Sequence, residues 1–411
     1  MKRLFTYTLA TVVLLALLAG CANGVGTGQP DIEEDTPVIL VIWHDKEEAV
    51  ASVLQAKLDE LNPYIVVYLE RKSGLTETLK LVGNSPANAP DMYFFAHDKI
   101  GMYAEMGILS PITDFVDASI LAGFLPKTID AVTYNGVIYQ LPLYFETLLF
   151  MYNRALMSDD EVPETTRDLF RFMQRNTGAG MFGFVEQYTN AYFIAGWIHG
   201  FGGEIITSDG VPMLNAAETI EALRYYGRFV RMMPGEAEFA TVNTLFREGR
   251  AAATIGGPWL VPGLREAGID LGLAQMPLVS ETNMPLAPFM GVQGLHVLRV
   301  AAENEAKNEA IRTVLNHLVS TDIGVALAEA SGSAPALTAS YELEAVQNNE
   351  MAMMMYHTAS IAMPMPNIPE MDVMWVVASN LLVDVNLRNR DIEEAASAAQ
   401  ARAIELIDLM R

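Results

Sequence analysis

After Pro37 the chain alternates between short apolar runs and segments carrying a helical stripe. Val38 to Trp43 is an uninterrupted apolar run, as expected of a strand covered on both faces. Val50, Val53, Leu54, Leu58 and Leu61 then recur at helical spacing among Glu, Gln and Lys. Asn62-Pro63 stops that helix, Ile65 to Leu69 reads as a second strand, and a helix around Thr76 to Val82 precedes a third strand at Asp91 to Phe95. Strand, helix, strand, helix, strand in this order predicts an α/β fold with a parallel sheet and right-handed crossovers.

Further along, helix dominates. Ala216 to Met232 and Val242 to Glu248 are amphipathic, and Gly249 ends the second. Val137 to Leu141 and Ala251 to Ile255 read as short buried strands, and Ser208-Asp209-Gly210 is a turn, so Asp209 is a turn residue before it is a ligand. Asn304 to Leu318 predicts a helix with Ile311, Val314, Leu315 and Leu318 on its apolar face and a solvated His317 on the other. A last helix runs from Asp391 to the end, and no internal repeat interrupts the pattern.

The first 36 residues follow other rules. Lys2 and Arg3 lead into an apolar run from Leu4 to Leu18, shorter than the about 20 residues of a comfortable membrane span, and small residues and Cys21 follow. This is an export signal over residues 1–20. Cys21 resembles the lipid-modified cysteine of bacterial lipoproteins, which implies a membrane anchor outside the cytoplasm. Residues 21–36 read as a flexible tether whose Gly24, Gly26 and Gly28 follow no strand and so make no phosphate loop. No later segment has the length of an apolar membrane span.

Charge and composition narrow the partners. Fifty acidic residues face twenty-six basic ones, for a net charge of −24. Such a chain repels nucleic acid and anionic headgroups over a Debye length of about 8–10 Å, which favours a neutral or weakly cationic ligand. Cys21 is the only cysteine, so an intramolecular disulfide and a thiolate metal cluster are excluded. His-Glu-x-x-His, Gly-x-Ser-x-Gly and Gly-Lys-Ser/Thr motifs are missing, and the six histidines never stand at i,i+4.

The strand ends carry the candidate chemistry, because ligands of α/β sheets bind outside the carboxyl ends of strands. Trp43-His44-Asp45-Lys46 follows the first strand, and Phe94-Phe95-Ala96-His97-Asp98-Lys99 the third. Pro142-Leu143-Tyr144-Phe145-Glu146 follows the expected strand at 137–141, and Gly256-Gly257-Pro258-Trp259 the one at 251–255. Each set joins aromatic rings to carboxylates, a lysine or glycines. Carbohydrates ask for that mixture: an apolar face that packs on a ring, and hydroxyls that bind charged partners at about 1.5–3 kcal/mol each. The residues alone leave core packing open for each ring. They also leave a glycosidase using carboxylates such as Asp98 and Glu146 open beside a binding protein or a structural surface lipoprotein.

Over nearly all of residues 37–411 the chain resembles the maltose/maltodextrin-type solute-binding proteins of ABC importers. Val41-Ile42-Trp43-x-Asp45-Lys46 resembles the family's first strand and its Asp-Lys sugar contact, and Phe95-Ala96-His97-Asp98-Lys99 resembles Trp-Ala-His-Asp-Arg. Ala131-Val132-x-Tyr134-Asn135-Gly136, Glu146 with Tyr152-Asn153, Gly257-Pro258-Trp259 and Met365-Pro366-Asn367-Ile368-Pro369-x-Met371 follow in matching order, with Trp375 where the family has a second stacking tryptophan. Departures are Phe95 for tryptophan, Lys99 for arginine, Asn190 for glutamate, and Val376 and Ser379 for tyrosine and arginine.

The resemblance implies a two-lobed periplasmic-binding-protein-like fold (type II) with its ligand between the lobes. The expected lobes are 37–144 with 295–338, and 149–290 with 342–411. It implies a sugar site of Asp45, Lys46, Phe95, Asp98, Lys99, Glu146, Asn190, Tyr192, Phe193, Trp259, Met365 and Trp375. It further implies a monomer that is not an enzyme, without cofactor or metal, which captures an oligosaccharide by lobe closure and hands it to an ABC permease with its ATPase. The alternatives are a lipid-anchored glycoside hydrolase and a surface glycan-binding lipoprotein without a transport role.

Overall fold

The apolar run after Pro37 forms strand β1 (Val38–His44), followed by helix α1 (Glu48–Leu58), β2 (Ile65–Arg71), α2 (Leu75–Val82) and β3 (Met92–Ala96). The computed structural model describes residues 37–236 and 238–410; the export signal, Cys21 and the tether lie outside them. β1 pairs in parallel with β2 on one side and β3 on the other. α1 buries Val50, Leu54 and Leu58, the stripe its spacing predicts.

Downstream come β4 (Leu141–Thr147), β5 (Leu149–Asn153), helices α3 (Ala191–His199), α4 (Ala217–Val230) and α5 (Phe239–Arg247), and strands β6 (Ala253–Gly256), β7 (Leu271–Ala274) and β8 (Phe289–Leu298). Helices α6 (Glu305–Leu318), α7 (Met371–Asn386) and α8 (Ile392–Asp408) close the chain. Asn304 and Asp391 start α6 and α8 by accepting the amides of Ala306 and Glu394, which satisfies N–H groups the helices leave free.

Beyond its first three strands the sheet is mixed rather than parallel. β8, buried along its whole length, inserts between β3 and β4 and runs antiparallel to both, giving the order Ala334–Pro335, β4, β8, β3, β1, β2. Its register against β4 shifts between Gln293 and Gly294, and a Cβ on Gly294 would lie 2.0 Å from the Leu141 carbonyl oxygen, so only glycine fits. A second, antiparallel sheet has the order β7, β5, β6. Only Leu148 separates β4 from β5, yet they belong to different sheets, so the chain crosses between the two bodies there.

The strand expected at 137–141 divides. Val137–Ile138 folds back on Thr133–Tyr134 through Asn135-Gly136, both at positive φ (49° and 78°), as a tight hairpin requires. Pro142 to Glu146, expected to follow a strand, therefore lies within one. His317 is not simply solvated: its Nε2 lies 2.8 Å from the Lys57 carbonyl and pins α6 to the end of α1. The Asp209 turn is present, with Gly210 at φ 80° and the Thr207 hydroxyl donating to Asp209.

One hydrophobic core lies behind the first sheet, around Leu40, Ile42, Leu54, Ile311 and Val314. A second fills the other body, where Trp197 packs at 4.6 Å on Tyr226 and 4.8 Å on Phe229, beside Met374 and Leu381 of α7. Each large side chain so enclosed contributes about 1.5–3 kcal/mol. A third cluster, with Phe145, Leu149, Met151 and Met290, runs along the crossing strands and joins the two.

Candidate functional site

β1 ends in Asp45 and Lys46, and the Lys46 ammonium lies 2.7 Å from Asp45 Oδ1 while donating to Gln293 Oε1 at 2.6 Å. Gln293 in turn donates from Nε2 to Glu146 Oε1 at 2.9 Å. A continuous polar chain, Asp45–Lys46–Gln293–Glu146, thus runs across the end of β1 and the paired strands β8 and β4. Lys46 also sits 5.2 and 5.4 Å from the ring centroids of Phe94 and Phe95. Glu146 is the one residue of β4 that is not fully buried. Enclosure pushes its carboxyl up, against the pull of Lys46 and the Gln293 hydrogen bond.

After β3, Asp98 and Lys99 face each other at 3.3 Å, and Lys99 donates to Asp372 of α7 at 2.8 Å. Asp372 also takes Lys80 of α2 at 2.9 Å. The histidines preceding these aspartates are structural. The His97 Nδ1 accepts the Val292 amide at 3.0 Å, so its Nε2 carries the proton toward the Met365 carbonyl at 2.9 Å. His44 is buried and accepts the Lys46 amide on Nδ1.

The other body supplies rings. Tyr192, in the first turn of α3, lies 6.4 Å from both Trp259 and Trp375. Burial raises its hydroxyl, and so do the negative charges of Glu146 and Asp98. Trp259 is 39% exposed and folds over its own chain: a Cβ on Gly257 would lie 2.2 Å from the indole. Gly257→Ala is therefore expected to displace the ring and weaken ligand binding almost as far as loss of the indole does, with the fold kept; calorimetry beside a melting curve checks this.

Several expected site residues play other parts. Phe193 is 6% exposed and backs Trp259 edge-on at 6.5 Å, as core rather than as a binding face. The Asn190 Oδ1 caps α3 by accepting the Tyr192 amide at 3.0 Å. Met365 is buried, its amide donating to the Met290 carbonyl and its methyl lying beside Gly291. Trp43 is also buried, with Nε1 donating to Glu70. Ser379 accepts the Ala191 amide and ties α7 to α3, while Val376 is exposed.

Three residues beside the expected site carried no sequence signal strong enough to mark them: Gln293, Phe289 and Asp372. Gln293 is a lone amide within the apolar run 289–298, and that contrast was its only clue. Phe289 stacks on Tyr192 at 6.3 Å and meets Trp375 edge to face at 5.6 Å. The segment Lys72 to Glu77, which matches the family only loosely, lines a hollow of about 580 Å³ with Asp45 and Phe95. Among the described residues no group of three or more His, Cys, Asp or Glu is placed to hold a metal, and no helix is long and apolar enough to cross a membrane.

Two sheets joined by crossing strands, with a polar chain across the first and a cluster of rings beyond it, define a protein of the two-lobed solute-binding class. The chain belongs to the family of bacterial extracellular solute-binding proteins, whose pattern matches residues 57–353. It is 29% identical over 346 residues to the maltotriose-binding protein of Pyrococcus abyssi, covering 82% of this chain and 75% of that protein. It is 28% identical over 408 residues to the maltodextrin-binding protein of Bacillus subtilis, covering 95% and 94%. Among solved structures, a cyclo/maltodextrin-binding protein complexed with maltotetraose superposes with a TM-score of 0.81 at 25% identity, covering 92% of this chain and all of that one.

Proposed function

We propose that this protein captures a malto-oligosaccharide in the cleft and delivers it to an ABC permease, without altering it. The observation that carries this reading is the Tyr192–Trp259–Trp375 group of rings together with the polar chain Asp45–Lys46–Gln293–Glu146 in the same molecule. Trp259, Trp375, Tyr192 and Phe95 would take the apolar sugar faces, and Asp45, Lys46, Asp98 and Glu146 the hydroxyls. The relatives' ligands support the same class. Micromolar affinity needs only about −8 kcal/mol, which a few charge-assisted bonds and two or three stacks supply after ordering costs.

The division into lobes at 37–144 with 295–338 and 149–290 with 342–411 is part of this proposal. It is supported by the crossing from β4 to β5 and by the return through β8. So are anchoring through Cys21, a monomeric state and the absence of catalysis. Of the carboxylates a glycosidase would use, Asp98 is held by Lys99 at 3.3 Å and Glu146 accepts from Gln293, which supports binding over hydrolysis.

Titration calorimetry of the full chain against maltose, maltotriose, maltotetraose and galacto-oligosaccharides tests the reading. Malto-oligosaccharides are expected to bind at micromolar or lower concentration and to be recovered intact. No heat with any of them, or glucose released from maltotriose, would overturn it.

A further inference from the structure

Helix α7 belongs to the second body by its packing: Met371, Met374, Val377, Leu381 and Leu382 enter that body's core, and the helix lies along α8 and α3. Its first turn nevertheless ends in the first body. Asp372 takes Lys99 at 2.8 Å through one carboxylate oxygen and Lys80 at 2.9 Å through the other. Glu77 holds Lys80 at 3.0 Å and Asp98 holds Lys99 at 3.3 Å, so the charges alternate as Glu77–Lys80–Asp372–Lys99–Asp98. Lys99 and Asp98 are 12% and 11% exposed and Lys80 and Asp372 24% and 29%, so solvent screens the pairs at Asp372 only in part, while Glu77, 73% exposed, is screened fully.

The segment just before the helix is held by neutral bonds. Asn367 donates to the Ala131 and Thr133 carbonyls at 2.8 Å each, and the Gly101 amide donates to the Asn367 carbonyl at 2.7 Å. Those bonds stop short of α7. Asp372 is one turn before Trp375, and residues three apart lie on one face of a helix. A carboxylate in the first turn is also favoured by the helix dipole, which stabilises the charge on Asp372, while the same dipole opposes the two ammoniums, so the ion pairs themselves must hold them there.

We propose that Asp372 is a positioning residue for ligand capture: by engaging Lys80 and Lys99 together it holds the first turn of α7 against the first body and sets where Trp375 meets the cleft. Lys99, which the family resemblance assigns to the sugar, acts here mainly through that ionic chain. The proposal rests on the oligosaccharide reading above for its ligand, but not for its geometry.

The test compares the full chain with its Asp372→Asn, Asp372→Glu and Lys80→Gln variants. Maltotriose affinity is expected to fall about tenfold in Asp372→Asn and less in Lys80→Gln. Asp372→Glu should retain most of it, a rescue that a purely steric role would not give. Affinity of the parent should weaken with added sodium chloride, and that of Asp372→Asn should not. Small-angle scattering without ligand should show a larger radius of gyration for Asp372→Asn than for the parent. Unchanged affinity, salt response and scattering in Asp372→Asn would overturn the proposal. If the parent itself binds no malto-oligosaccharide, the functional reading fails, and the ligand-free scattering still decides the role of Asp372.

Discussion

Truncation of Trp259 to alanine is expected to weaken malto-oligosaccharide binding by about 1–3 kcal/mol, roughly 5- to 150-fold. The indole is 39% exposed, so much of its face is available to a ligand while its edge is braced by Phe193 and Tyr192. Removing it deletes a stacking surface but opens no sealed cavity, so the melting temperature should barely move. Trp259→Phe, which keeps a flat face on the Gly257 backbone, should recover part of the loss. Calorimetry with maltotriose, paired with thermal melting, reads both quantities. Affinity that survives the alanine substitution would remove Trp259 from the binding surface.

The second large effect concerns stability and pH. Glu186 is fully buried in the second body, where its Oε2 accepts the Trp197 indole N–H at 3.0 Å and the Tyr226 hydroxyl at 2.9 Å. Burial raises its carboxyl from an ordinary 4.5 to about 8, with the two hydrogen bonds opposing. Between those values the unfolded chain has released the proton and the folded chain still holds it. Stability therefore falls as pH rises through that window, by a total on the order of 3–5 kcal/mol, and the loss is complete above it.

Glu186→Gln keeps both acceptor contacts and has no proton to lose. Its melting temperature should decline less than the parent's between pH 5 and pH 8, with the gap greatest on the alkaline side. His296 works in the opposite direction: buried against Tyr93 at 4.1 Å, it is pushed down from 6.5 to about 3, so its contribution is lost as pH falls below 6.5. Melting curves for parent and variant from pH 4 to pH 9 separate the two slopes. Parallel curves would show that Glu186 is ionised in the folded protein.

Local pattern was a good guide wherever a residue's role depends on its near neighbours. The stripes of α1, α4 and α6, the starts of α6 and α8 and the parallel pairing of the first three strands were all legible, because each is set by spacing within a few turns or by one adjoining crossover. β8 was not. Its partners β3 and β4 lie far away in the chain, and an apolar run does not reveal which edges it will join. Missing β8 also hid the mixed character of the sheet and placed Glu146 after a strand rather than within one.

The sequence by itself determined the chemistry on offer: carboxylates and lysines at strand ends, rings at Tyr192, Trp259 and Trp375, and an acidic chain suited to a neutral ligand. Only the tertiary structure decided which of those groups are taken up in holding the protein together. Phe193 and Met365 went to the core and the Asn190 oxygen to a helix cap, while Gln293 was joined to Glu146 and Asp372 to Lys99. The physical reason is that a side chain's task is set by its partners in space. Hydrogen bonds and ion pairs act only within a few ångströms, and folding brought Gln293 to Glu146 and Asp372 to Lys99 from opposite parts of the chain.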